Sequence, residues 1–157
     1  MPSVTFREYN PENGALLGNI STLKFGEFLR GTHSRVKVLD IAFGGVTAVT
    51  NIKLGLITSG GITVNSEPTD IGADGSAANG HFGIETSSSF ISSKALSPLT
   101  RHFAGSNTDA KSYSEYNVSI GNKSDLTSNY IYLDMDSSNS TTIKNGNGTY
   151  KVFFDYY

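Results

Sequence analysis

The chain has 157 residues, a length that fits one domain able to bury a core without covalent staples. Apolar residues make up 37%, charged residues only 17%, and the net charge is −2, which excludes a disordered chain. The 12 basic and 14 acidic residues form no stripe, so no nucleic-acid or membrane partner is expected.

In chain order, Met1-Pro2-Ser3-Val4-Thr5-Phe6-Arg7-Glu8 lacks a basic stretch followed by an apolar run, so no secretory signal is expected. No window reaches the length of a membrane span. Residues 4–9 and 22–26 read as strands. Over residues 34–43, Val36 and Val38 alternate with Arg35 and Lys37, then the apolar set moves to Leu39, Ile41 and Phe43 around Asp40. A shift of one residue turns side chains over, so a bulge or a bend between sheets is expected there. Arg30, Arg35 and Lys37 read as a solvated strand face. Residues 51–57 point Ile52, Leu54 and Leu56 inward, with Lys53 and Gly55 outward.

Two long polar stretches follow, residues 65–80 and 87–111, and in a structural protein they would serve as contact arms. Further strands are expected at 81–85 and 116–120. Residues 129–136 alternate with Ile131, Leu133 and Met135 inward, leaving Tyr130, Tyr132, Asp134 and Asp136 on a wet face. Residues 149–157 are aromatic on both faces: Tyr150, Val152, Phe154 and Tyr156 on one, Phe153 and Tyr157 on the other. Such a strand wants cover on both sides, from a long loop of this chain or from an adjoining subunit. Glycine- and asparagine-rich turns separate about eight or nine such strands, which argues for an all-β fold. The expected architecture is one antiparallel β-sandwich over residues 1–157, of immunoglobulin-like or jelly-roll type, with long polar loops.

Chemistry-bearing patterns are sparse. With no cysteine, disulfides, thiolate metal sites and a cysteine nucleophile are excluded. His33, His81 and His102 lie far apart, and no nucleophile-elbow motif accompanies them. Asp70-Ile71-Gly72-Ala73-Asp74-Gly75 has calcium-loop character, but Gly72 takes a ligand position and His81 stands where a bidentate glutamate belongs. Asp134 and Asp136 share a strand face and read as a solvated strand end. No catalytic residue, cofactor or metal site is therefore expected. The Asn-x-Ser/Thr triplets, such as Asn117-Val118-Ser119, read as accidents of composition. The distinctive feature is tyrosine: Tyr113, Tyr116, Tyr130, Tyr132, Tyr150, Tyr156 and Tyr157. Tyrosine combines a large apolar ring with a polar tip and is enriched at interfaces, so Tyr130, Tyr132, Phe153 and Tyr157 are the candidate interface residues.

The runs Leu23-Lys24-Phe25-Gly26-Glu27-Phe28-Leu29-Arg30-Gly31, Arg35-Val36-Lys37-Val38-Leu39-Asp40-Ile41 and Asn51-Ile52-Lys53-Leu54-Gly55-Leu56 resemble immunoglobulin-like β-sandwich repeats. Tyr116-Asn117-Val118-Ser119-Ile120-Gly121-Asn122-Lys123-Ser124-Asp125, Asn129-Tyr130-Ile131-Tyr132-Leu133 and Phe153-Phe154-Asp155-Tyr156 are similar to small structural proteins of tailed-bacteriophage particles. That resemblance implies a virion component, a capsid cement or decoration protein or a tail or neck accessory, and it transfers no catalytic residue. The expected partners are major coat or tail proteins, with homo-oligomers of the chain itself as a further expectation. The alternative is a carbohydrate- or receptor-binding module of a fibre or adhesin. A hydrolase on a jelly-roll scaffold would need histidines and carboxylates to converge in space.

Overall fold

The computed structural model describes residues 1–24, 26, 34–60, 63–64, 79–92, 101–102, 118–137 and 146–157. Every regular element among them is a strand: β1 (Ser3–Tyr9), β2 (Leu16–Ile20), β3 (Lys37–Gly44), β4 (Val49–Gly60), β5 (Thr63–Val64) and β6 (Asn79–Ser87). They are followed by β7 (Arg101–His102), β8 (Val118–Ser119), β9 (Asn122–Ser124), β10 (Thr127–Ser128), β11 (Tyr130–Ser137) and β12 (Gly146–Tyr156). The larger sheet runs β2-β1-β3-β11-β6-β5, with β10 beside β3 and β9, and β7 beside β6. The smaller runs β12-β4-β8. Pairing is antiparallel apart from β5 on β6. The chain is all-β, as its alternation requires.

The β1–β2 hairpin follows from its turn residues. Asn10 Oδ1 accepts the backbone N–H groups of Glu12 and Asn13, and Asn13 Oδ1 accepts that of Ala15, so side chains close the turn locally. The main core is shared by both sheets. Leu39, Ile41 and Phe43 of β3, Ile84 of β6, and Ile131 and Leu133 of β11 meet Val49, Ile52 and Leu54 of β4, together with Ile120. Tyr150, Val152 and Phe154 of β12 close over it, and the Phe43 and Phe154 rings lie 4.8 Å apart. Two sheets packed on one core form a sandwich.

The expected bulge in β3 is not there. β3 pairs with β1 without interruption from Ser3↔Gly44 to Tyr9↔Val38. The apolar set shifts because β3 is buried on both faces: Leu39, Ile41 and Phe43 enter the main core, and Val38 and Asp40 are covered on the other side. A bulge lies instead between β4 and β12, where Lys53↔Phe153 is followed by Thr50↔Asp155. Asn51, with φ 51°, takes up the extra residue and donates Nδ2–H to Asp155 Oδ2 at 2.7 Å. Only this shift lets Val49 and Ile52, of opposite parity, both enter the core.

β2 was not anticipated, while residues 22–24 of the expected 22–26 strand lie outside any element. Residues 118–128 pass from the smaller sheet to the larger. β8 pairs with β4, the Ile120 N–H bonds Ile52 O, Val49 N–H bonds Asp125 O, Phe43 N–H bonds Leu126 O, and Thr127 stands opposite Ala42. This segment stitches the β3–β4 corner to both sheets.

Candidate interaction surface

The covered outer face of the larger sheet carries the densest polar cluster among the described residues. Arg7 and Tyr9 share a face of β1 by alternation, and the β1–β3 register sets Arg7 opposite Asp40. Arg7 grips the carboxylate at two points, Nε to Oδ1 at 2.8 Å and Nη2 to Oδ2 at 2.6 Å. The Tyr9 hydroxyl donates to Oδ2 at 2.8 Å, and Lys123 Nζ, reaching in from β9, donates to the same oxygen at 2.6 Å. The ammonium also stands 3.5 Å from the centroid of the Tyr130 ring, a cation–π contact. Tyr9 meets Tyr130 edge-to-face at 5.2 Å.

Asp40 is 0% exposed. Burial by itself would raise its carboxyl, but the bonds from Arg7, Lys123 and Tyr9 outweigh it and hold the group below its ordinary value. Arg7 is raised mainly by its bond to Asp40. Burial, then the bond to Asp40, pushes the Tyr9 hydroxyl up to about 12. A carboxylate held by four bonds and shut off from solvent does not act as a base toward a substrate. Its role is to lock β1, β3 and β9 together.

The same face places Tyr130 and Tyr132. Tyr132 is 0% exposed and packs with Tyr9 and Val38, while Tyr130 is half-buried beside Phe90. The Tyr132 hydroxyl accepts the Ile91 N–H at 2.6 Å. The wet tyrosine face expected on β11 is therefore covered by the chain's own segments, and Asp134, expected at a solvated strand end, is buried. A ring already covered on all sides offers no area to a partner, so Tyr132 cannot serve as an interface residue in this fold. Lys37, expected to be solvated, is half-buried and pairs with Glu8 at 3.7 Å, whereas Arg35 is exposed.

β12 is different. Phe153, Tyr156 and Tyr157 are 41%, 54% and 73% exposed. The chain itself therefore gives Phe153 and Tyr157 only partial cover. Alternation puts Tyr156 on the face of Phe154, whose ring lies 6.0 Å away, yet Tyr156 stays largely in solvent. Exposed apolar residues recur on β2, where Leu17 is the extra residue of a register shift and Leu16 pairs with Tyr9 beside it. These two were missed because a bulged edge strand has no alternation to read.

The calcium-like loop 70–75, His33, Arg30, Tyr113, Tyr116, Asn117, and most of the two polar stretches lie outside the described residues. The backbone register sets His81 opposite Asp136 and His102 opposite Phe82. Among the described residues, no group of three or more His, Cys, Asp or Glu side chains could hold a metal. No helix among them is long and apolar enough to cross a membrane. No known family, curated protein or solved structure matches this chain.

Proposed function

We propose that this chain is a non-enzymatic structural protein of a bacteriophage particle, seated on larger coat or tail proteins in the manner of a cement or decoration protein. The exposed aromatic row of β12 carries the reading. Phe153 and Tyr156 of β12, and Tyr157 just beyond its end, present large rings to solvent at a strand that ends its sheet among the described residues. Rings of this kind contribute binding energy by losing contact with water, on the order of 2 kcal/mol each. The kind of partner is taken from the resemblance read above in residues 116–125, 129–133 and 153–156. Particles from the source culture, banded on a density gradient and quantified by mass spectrometry, test the proposal. The chain should band with the coat or tail proteins at a fixed ratio. Its recovery only from the soluble fraction would sink the reading.

A second reading, a carbohydrate- or receptor-binding module, draws on one observation. Exposed Asn51 and Asp155 are bonded at 2.7 Å, and by alternation Asp155 shares its face of β12 with the exposed Phe153 ring. An amide and a carboxylate beside an aromatic surface are the groups that recognise a sugar. Binding to a glycan panel, with no association with particles, would favour this reading over the first.

A further inference from the structure

β12 has a pattern that matches itself. Among the described residues it pairs only with β4 and ends its sheet. Tyr157 turns both backbone groups toward the β4 side, donating to Ala48 O at 3.0 Å and accepting from Thr47 N at 2.8 Å. Alternation along an antiparallel strand then turns the N–H and C=O groups of Val152, Phe154 and Tyr156 away from β4. The extra residue at the bulge sits on β4, so the alternation of β12 survives it. An edge of this kind is a template for another strand.

The order of residues says which strand fits. Lys151 and Asp155 stand two positions either side of Phe153. In an antiparallel pairing about a two-fold axis at Phe153, each Lys151 falls opposite the other copy's Asp155. Phe153 then meets its own symmetry mate in a pair that is not hydrogen-bonded to each other, the arrangement that brings side chains closest. Val152 and Phe154 of the two copies supply the backbone bonds. Exposed Tyr156 comes opposite Tyr150 of the second copy. Moving the axis by one residue in either direction would break the Lys151–Asp155 match, because direct pairs would then join residues of a different sum.

We infer that β12 is the dimerisation edge of this protein, pairing antiparallel with β12 of a second copy about a two-fold axis at Phe153. Closed two-fold symmetry requires one self-complementary patch, and β12 supplies one. A single strand pair is small beside a standard interface, so the dimer is a concentration-dependent one. This inference does not rest on the particle reading.

Sedimentation of the full chain over a range of concentrations tests it, with Lys151→Asp, Asp155→Lys and the double exchange compared, each checked for folding by its melting curve. The wild type should pass from monomer to dimer. Each single exchange sets like charges opposite one another twice and should weaken the dimer about tenfold or more, and the double exchange should restore it. Hydrogen exchange on the wild type needs no variant: the Val152 and Phe154 amides should slow as concentration rises. A wild type that stays monomeric at several hundred micromolar (roughly the upper range of such weak interfaces) overturns the inference. So do single exchanges without effect, a folded double exchange that fails to dimerise, or Val152 and Phe154 amides indifferent to concentration.

Discussion

Arg7 and Asp40 face each other in the β1–β3 ladder and meet through two parallel bonds, at 2.8 Å and 2.6 Å, on a carboxylate from which solvent is shut out. Removing one member of a buried charge cluster leaves the others uncompensated. Asp40→Asn should therefore lower the unfolding free energy by about 3 kcal/mol. Exposed Asp125→Asn should change it by less than about 0.5 kcal/mol. Urea denaturation of both variants checks the contrast, and equal small losses would remove the cluster from the account of stability.

The same cluster sets the acid limb of the stability curve. The Asp40 carboxyl lies below its ordinary value in the folded chain, so the unfolded chain takes up its proton first. The contribution is complete above the ordinary carboxylate range and is lost as pH falls through the lowered folded value. Wild type should lose stability over that window relative to Asp40→Asn. Parallel pH profiles for the two proteins would contradict the assignment.

Tyr9 governs the opposite limb. Its hydroxyl is raised from 10.0 to about 12, so its contribution is full below pH 10 and is lost as pH rises toward 12. Relative to Tyr9→Phe, wild type should lose on the order of 2 kcal/mol across that interval. Denaturant midpoints taken between those pH values supply the test, and no difference in slope would refute it.

Much of this fold was legible from alternation. β1, β4, β11 and β12 stand close to where period-two patterns put them, because each has one face in the main core. β3 misled because period two presumes one wet face, and its second face is sealed by residues remote in sequence. Asp40 draws Arg7 from 33 positions away and Lys123 from 83. A lone carboxylate between Leu39 and Ile41, with Arg7 and Tyr9 sharing a face of a nearby strand, was the available signal. The same sealing hid Tyr132. Aromatic residues on both faces of the last strand mark Phe153 and Tyr157 as residues that want cover, but nothing local says that they stay 41% and 73% exposed.

Asn51 holds the left-handed conformation that lets both Val49 and Ile52 reach the core. Asparagine and glycine enter that region at low cost, whereas a β-branched residue does not. Asn51→Gly should cost less than about 1 kcal/mol, and Asn51→Val about 2 kcal/mol, measured by thermal or urea unfolding. The reverse order would mean that the bulge does not need this conformation.

Gly121 enters the corner hairpin with φ 78°, and a Cβ there would stand 2.7 Å from Asn129 Nδ2, which bonds Ile120 O at 3.0 Å. Gly121→Ala should therefore destabilise by about 1–2 kcal/mol, from backbone strain and displacement of Asn129. A neutral result in chemical denaturation would show that the corner yields without loss.

The central claim is that the chain works by binding through the aromatic row of β12. Phe153→Ser, Tyr156→Ser and Tyr157→Ser together remove the row but keep the backbone ladder, which truncation would not. The decisive measurement is cofractionation of this triple variant with particles lacking the native chain, beside wild type and with both melting curves recorded. The account predicts that wild type bands with the particles and that the folded triple variant stays in the soluble fraction. A folded variant that bands with the particles as fully as wild type would contradict it.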